Sequence, residues 1–384
     1  MMCYGHRSQI PDATQNPLIP SRMTQSLSDQ KRPVLRSIEG LVQAGLLPPD
    51  ASANMEALAK QYALAITPDL VDLMDANNPE DPIRKQFVPD LRELTVTADE
   101  IDDPIGDEAH EKTTGLIHRY DNKALLKLVG TCPVYCRFCF RREMVGPVKG
   151  DTLTAHEIEA ALAYIEATPD LREIIITGGD PLILSMERLH KIASRLGQIT
   201  HLEKIRWHSR FPVASPNSVT DAMAQALAAS GKRTRLALHI NHPREFSPAV
   251  RTAIATLQKH QIEILSQTVL LAGVNADLDT LQELKTCFTA TGMTPYYLHH
   301  PDLAKGTGHF RLSLHDGLAL IRRWYQQNPD QPMPRYVLDL PGGFGKIDLL
   351  SDAVTGLDDQ TFDITDRHGH VHRYQSVVSP LKST

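Results

Sequence analysis

The chain has 384 residues, 41% hydrophobic and 22% charged, the make-up of a globular protein with room for a large α/β core. A formal net charge of −6 gives no electrostatic reason to expect nucleic acid or an anionic membrane as partner, and no apolar run reaches membrane-spanning length. Five cysteines, three of them packed into one stretch, do not make a disulfide framework; with no signal-peptide core near Met1 they point to a reducing, cytoplasmic setting and to metal ligation.

Residues 1–30 are polar, with scattered Pro, Ser, Gln and Asn, and read as a disordered tail that holds Cys3. From Pro33 the pattern turns helical. Leu35, Ile38, Val42 and Leu46 recur at helix spacing, a second run covers 55–64, and a third piece, 68–74, ends at Asn77-Asn78-Pro79. Residues 80–115 are rich in Pro and Asp and read as a wrapping loop segment with room for some helix, so 31–115 form a helical and wrapping preface.

A strand–helix rhythm follows. Strand 124–129 ends in the cysteine stretch, and helix 155–167 leads to strand 173–177 and the turn Gly178-Gly179-Asp180-Pro181. Helix 186–196 and strand 204–208 precede Ser209-Arg210-Phe211-Pro212. Helix 219–229 and strand 235–239 precede Asn241-His242-Pro243. Helix 248–260 and strand 263–271, then helix 278–289 and strand 295–298, complete six β/α units, the last opening into a loop at 299–310. Such alternation implies a parallel sheet with crossover helices, and each polar or Gly-rich loop follows a strand's carboxyl end, where active sites of this class collect. The spacing leaves an open doubly wound sheet and a barrel both open. Helix 312–325, strand 335–340, the run Pro341-Gly342-Gly343-Phe344-Gly345-Lys346 and a hairpin around 366–371 end the chain.

The stretch GTCPVYCRFCFRREMVG sets Cys132, Cys136 and Cys139 at C-x3-C-x2-C, with Arg137, Arg141 and Arg142 at its exit. Three thiolates can share a metal centre but fall one donor short of a full shell. Two readings stand on spacing alone: a structural zinc completed by a histidine, and a four-iron cubane with one iron open to a ligand. Lys346, by its hexapeptide alone, reads as a solvated loop lysine, and Asp302 and Asp339 as solvated aspartates.

The ordered set HRYDNKALLKLVGTCPVYCRFCFRRE, ITGGDPL, HSRFPV, HINHP, SQTVLLAGVN, PYYLHHPDLAKGTGHFR and PGGFGK resembles the radical S-adenosylmethionine enzymes and, among them, the lysine 2,3-aminomutase family. The resemblance implies a partial (β/α)6 TIM-like barrel at 116–312 and a C-terminal region, 313–384, that carries the lysine for pyridoxal 5′-phosphate. It implies that Cys132, Cys136 and Cys139 hold a [4Fe–4S] cluster whose open iron takes S-adenosylmethionine. Phe138, Gly178, Gly179, Asp180, Ser209, Arg210, His239 and Gln267 would surround that nucleotide. Lys346 would be the Schiff-base lysine, with His118, Arg119, Tyr120 and Lys123 at the cofactor's ring and phosphate. Lys123 stands where relatives commonly carry arginine, and Phe344 where they carry glycine. Arg141 would take the substrate α-carboxylate, and Asp302 and Asp339 the distal ammonium of L-lysine, giving β-lysine. A reductant such as flavodoxin or ferredoxin and a homo-oligomer are further implications. The family's C-terminal zinc cysteines have no counterpart in 347–384, so no structural zinc is expected there.

Three neighbouring readings compete. A relative that makes (R)-β-lysine for elongation factor P shares HINH but lacks the DxPGGxG pattern present here. A 2,3-aminomutase for another cationic amino acid would keep the aspartates. A non-catalytic zinc-binding scaffold would leave Lys346 and the glycine turns without a task.

Overall fold

A ten-stranded sheet in unbroken sequence order is the backbone of the fold. The computed structural model describes residues 32–51, 53–146 and 151–376; the expected tail at 1–30, with Cys3, lies outside them. Four short helices precede the sheet: α1 (Ile38–Gln43), α2 (Ala53–Gln61), α3 (Pro68–Val71) and α4 (Pro82–Phe87). The last of these is a helical part of the wrapping stretch 80–115. Asp81 caps it by accepting from the Ile83 and Arg84 amides, and Pro82 occupies its first turn.

Strands β1 (Glu111–Thr113) and β2 (Leu116–Tyr120) pair antiparallel and lead into β3 (Lys123–Val129). Then come α5 (Ala155–Glu166), β4 (Glu173–Gly178), α6 (Met186–Gln198), β5 (Lys204–Ser209), the single turn α7 (Phe211–Ala214), α8 (Asp221–Ala228) and β6 (Arg233–His239). The series continues through α9 (Pro248–Lys259), β7 (Glu263–Val269), α10 (Leu278–Ala290), β8 (Thr294–His299), α11 (Leu314–Gln326) and β9 (Arg335–Leu340). Strands β3 to β9 are parallel neighbours throughout, so the six expected β/α units are present and β9 adds one strand beyond them. Inner strands such as β4, EIIITG, are buried over most of their length because helices cover one face and the lumen lies on the other. Crossover helices α5, α6, α8, α9, α10 and α11 each open on a Thr, Ser or Asp whose side chain accepts a first-turn amide.

The sheet is curled, not flat. Arg206 of β5 donates to the Tyr296 hydroxyl of β8, three strands away, a reach that only a barrel-like curvature permits. It is also open, since β1 and the antiparallel β10 (Gly345–Asp348) stand at its two edges. A partial (β/α) barrel results. Beyond it, β11 (Val354–Gly356), β12 (Thr361–Thr365) and β13 (Val371–Gln375) form a separate antiparallel sheet, larger than the single hairpin expected. Phe362, Ile364 and Tyr374 of that sheet share an apolar cluster with Trp324 of α11 and Tyr336 of β9. Among the described residues no helix is long and apolar enough to cross a membrane.

Candidate active site

The cysteine loop leaves the carboxyl end of β3 and is tied at both ends, Gly130 N–H to Asp151 O and Gly146 N–H to Gly130 O (3.1 and 2.8 Å). Burial raises all three thiol pKa values, that of Cys139 to about 11, and each thiol is further burdened by a neighbouring cysteine or acid. Among the described residues no three His, Cys, Asp or Glu side chains are grouped to hold a single ion. The fit to a cluster rests on donor chemistry: three thiols of one loop, in a buried setting where a cationic centre would favour the thiolates. Arg137 lays its guanidinium along Glu93 (Nη2–Oε2 2.6 Å), Arg142 joins the same carboxylate, and Arg142 also donates to the Arg137 carbonyl (3.1 Å). Burial pushes Glu93 upward, but the two arginines outweigh it and hold the carboxyl below its usual range.

Two glycines let the turn after β4 touch this loop. A Cβ on Gly178, at φ +120°, would lie 2.4 Å from Val129 O, and one on Gly179 would lie 2.2 Å from Thr131 O. Asp180 then accepts from Ser209 Oγ, the Arg210 and Phe211 amides and the Leu182 amide, at 2.8 to 3.1 Å. Asp180 and Ser209 thus spend these polar atoms on shaping the turn. Arg210 bridges outward, to Glu245 (2.6 Å), Gln86 of α4 (2.7 Å) and the Cys136 sulfur (3.4 Å). Phe138 packs its ring on His239 and Phe310 (5.6 and 5.9 Å between centroids).

Successive strand ends present polar atoms that no protein group satisfies. Among the described residues, His208 Nε2 (β5), His239 Nε2 (β6), Gln267 Oε1 (β7), His299 Nε2 (β8), Asp302 Oδ1 and Asp339 Oδ1 (β9) are all buried without a hydrogen-bond partner. Each such atom costs about 1–3 kcal/mol in an empty fold, so six along one lumen mark a place built for a polar ligand. His208 feels the charges of Arg206, Lys346 and Arg141 and, with burial the larger cause, is held well below its ordinary pKa.

Lys346 lies on β10, not on a loop, and the antiparallel register sets it directly opposite Asp339. Its ammonium contacts Asp339 Oδ2, which also faces His299 Nδ1 at 3.4 Å. Burial and the Asp339 charge push Asp302 up to about 8, whereas Lys346 overcomes burial and holds Asp339 far below the carboxylate range. Two carboxylates here share one protein cation and one proton. The Lys346 amide donates to Tyr120 Oη (2.9 Å), and Lys123 Nζ stands 4.6 Å from the same ring's centroid.

Arg141 is aimed by a residue that the local pattern does not flag. Asp107 accepts from Arg141 Nη2 (2.9 Å) and from Arg119 Nη2 (3.0 Å), while Arg141 Nη1 reaches Thr177 Oγ1 (3.3 Å). Of the residues singled out in sequence, His118 is not brought to this group: its Nδ1 bonds the Tyr164 hydroxyl of α5 (2.9 Å). Glu93, Asp107, His208, Glu245 and His299 are the residues that sequence reasoning missed. Only the acid-rich run DDPIGDE offered a signal for Asp107, and it did not say which acid is buried.

Comparison with known proteins gives the chain's relatives. The Radical SAM superfamily profile matches residues 126–284. The L-lysine 2,3-aminomutase of Acetoanaerobium sticklandii is 33% identical over 325 residues, spanning 85% of this chain and 78% of that protein. The enzyme of the same name from Methanococcus maripaludis is 36% identical over 294 residues (76% and 67%), and that from Escherichia coli 33% over 290 residues (76% and 84%).

Proposed function

Because the chain belongs to the L-lysine 2,3-aminomutase family, within the radical SAM superfamily, we propose that it is an isomerase that moves the α-amino group of L-lysine to C3 to give β-lysine. The observation that carries the substrate is the pair Asp302 and Asp339, two carboxylates that each bury an oxygen without a hydrogen-bond partner among the described residues and that both feel the charge of Lys346. When substrate engages the cofactor in place of Lys346, a second cation of matching reach is wanted there, and the ε-ammonium of lysine supplies it.

When bound, a [4Fe–4S] cluster with S-adenosylmethionine supplies a 5′-deoxyadenosyl radical, and pyridoxal phosphate supplies the electron sink for the migrating nitrogen. Cys132, Cys136 and Cys139 would hold the cluster, with Arg210 donating to the Cys136 sulfur. Phe138, His239 and Gln267 would line the nucleotide side, with Gly178 and Gly179 bringing the turn close. Lys346 would carry the aldehyde cofactor, and Tyr120 and Lys123 would face its phosphate end. Arg141 would hold the substrate carboxylate with the edge that Asp107 leaves free. Arg119 acts through Asp107 in this reading, and His118 supports β2 against α5. The lumen's burial excludes water from the reacting carbons. A low-potential reductant such as flavodoxin or ferredoxin, a cytoplasmic setting and a homo-oligomer complete the proposal.

Anaerobic preparation with iron, sulfide and pyridoxal phosphate, followed by turnover assays on lysine, ornithine, arginine and glutamate, tests it. Lysine should be preferred, and Asp339→Asn should cut its turnover at least about a hundredfold, the loss of about 3 kcal/mol for one buried charged contact. Unchanged lysine turnover in that variant would remove the basis of the substrate assignment.

A further inference from the structure

We propose that Arg367, on the turn between β12 and β13, binds the phosphate of the aldehyde cofactor together with Lys123 beside the Tyr120 ring. The inference rests on the reading that Lys346 carries pyridoxal phosphate. The Arg367 guanidinium carbon lies 4.7 Å from the Tyr120 centroid and the Lys123 ammonium 4.6 Å from it. The Tyr120 hydroxyl, in turn, accepts the amide of Lys346 at 2.9 Å. Two cations therefore stand around the one ring that touches the reactive lysine's backbone.

The tip that carries Arg367 is held in place. The Asp366 carboxylate accepts from the His368 and His370 amides (2.8 and 3.0 Å) and contacts His372 Nε2 at 2.9 Å. The His372 ring stacks on Phe344 of the PGGFGK turn, with centroids 3.9 Å apart. Arg367 itself donates from Nη2 to the Arg119 carbonyl (2.5 Å) and from Nε to His368 Nε2 (3.0 Å). Among the described residues, three of its five N–H groups then have no protein acceptor.

Charge balance points to an anion. Among the described residues neither Arg367 nor Lys123 makes an ion pair with a carboxylate, and the acid nearest in effect to Lys123, Glu173, is engaged by Arg206 at 3.1 Å. Burial, Arg206, Lys346 and Arg335 all disfavour the Lys123 cation, with Glu173 opposing them, so a dianionic phosphate would relieve the local excess of positive charge. Lysine offers a point charge where phosphate recognition gains from a planar fork, and the Arg367 guanidinium supplies that fork from a different part of the chain.

The test is an anaerobic titration of the full-length, cluster-loaded protein with pyridoxal phosphate and with pyridoxal, read by Lys346-dependent visible absorbance and by equilibrium dialysis. Arg367→Met should weaken pyridoxal phosphate binding about tenfold and leave pyridoxal binding unchanged, so that the preference for the phosphorylated form narrows. Arg367→Lys, which keeps the charge and loses the fork, should fall between the two. Unchanged phosphate preference in both variants overturns the proposal. Equal weakening toward both ligands overturns it too, because it would mean that the hairpin only buttresses β10. A wild-type protein that gives no absorbance lost in Lys346→Ala would instead sink the underlying reading of Lys346.

Discussion

Asp302 and Asp339 are pushed in opposite directions although each feels the other's charge or that of Lys346, and the difference follows from where Lys346 sits. Its ammonium contacts Asp339 and keeps that carboxylate charged, while Asp302, buried and beside a charge of its own sign, titrates only at about 8. At neutral pH the protonated form of Asp302 is therefore favoured beside the charged Asp339. A substrate ammonium between the two favours the charged form, so binding of lysine should expel a proton from Asp302. Norleucine, with the same backbone and no ε-ammonium, should expel none by this route. Calorimetry of the cofactor-loaded protein in two buffers of different ionisation enthalpy measures the difference: lysine should release more proton than norleucine near neutral pH, and the excess should shrink as the pH rises and Asp302 loses its proton beforehand. Equal proton release by the two amino acids would show that Asp302 does not meet the ammonium. At this scale the motifs pointed to the two carboxylates that the fold brings under the influence of Lys346, but not to their states. Asp107 escaped notice because its two arginine partners, Arg119 and Arg141, are 12 and 34 positions away, and no local pattern records such convergence.

The β9–β10 hairpin shows the same economy one level up. Gly345 pairs with Leu340 and Lys346 with Asp339, so the four residues between fix which side chain faces the lumen. Gly342 and Gly343 take φ of +87° and +85°, and a Cβ on Gly343 would stand 2.7 Å from His110 Nε2. Gly343→Ala should cost about 1–3 kcal/mol through the left-handed backbone and the contact. Its sharper effect should be loss of Lys346-dependent cofactor absorbance, because a one-residue slip turns Lys346 to the opposite face. Thermal melting together with the visible spectrum checks both, and a variant with a normal spectrum would mean that register does not depend on this glycine. The strand–helix rhythm from 123 to 340 was legible because buried parallel strands are uniformly apolar and their helices amphipathic. Lys346 read as loop because a short edge strand, GKID, carries no apolar run; only its pairing with β9 makes it a strand.

Across the whole molecule, the segment from Asp81 to His110 is a belt of acids that meets the arginines of the barrel mouth. Glu93 takes Arg137 and Arg142, Asp107 takes Arg119 and Arg141, and Glu100 takes Arg311. This belt secures the cysteine loop in a barrel that does not close on itself, which is why a stretch that reads as wrapping loop is so deeply buried at its acids. For Glu93 and Asp107 burial raises the pKa and the paired arginines lower it by more, so both folded values lie below the unfolded ones. Such groups stabilise the fold fully above their unfolded values, about 4, and the contribution is lost as pH falls through the depressed folded values. Mild acidification to pH 5 should therefore leave the belt intact, and its release should come only below about pH 4. Glu93→Gln leaves two buried guanidinium groups without their counter-charge and should cost about 3–5 kcal/mol at neutral pH. It should also flatten the acid limb of a plot of melting temperature against pH, since the group that titrates is gone. Iron retained after desalting should drop in the same variant, because Arg137 lies between Cys136 and Cys139, two of the three proposed cluster ligands. A variant that melts normally at pH 7 and keeps its iron would show that the belt does not hold the loop.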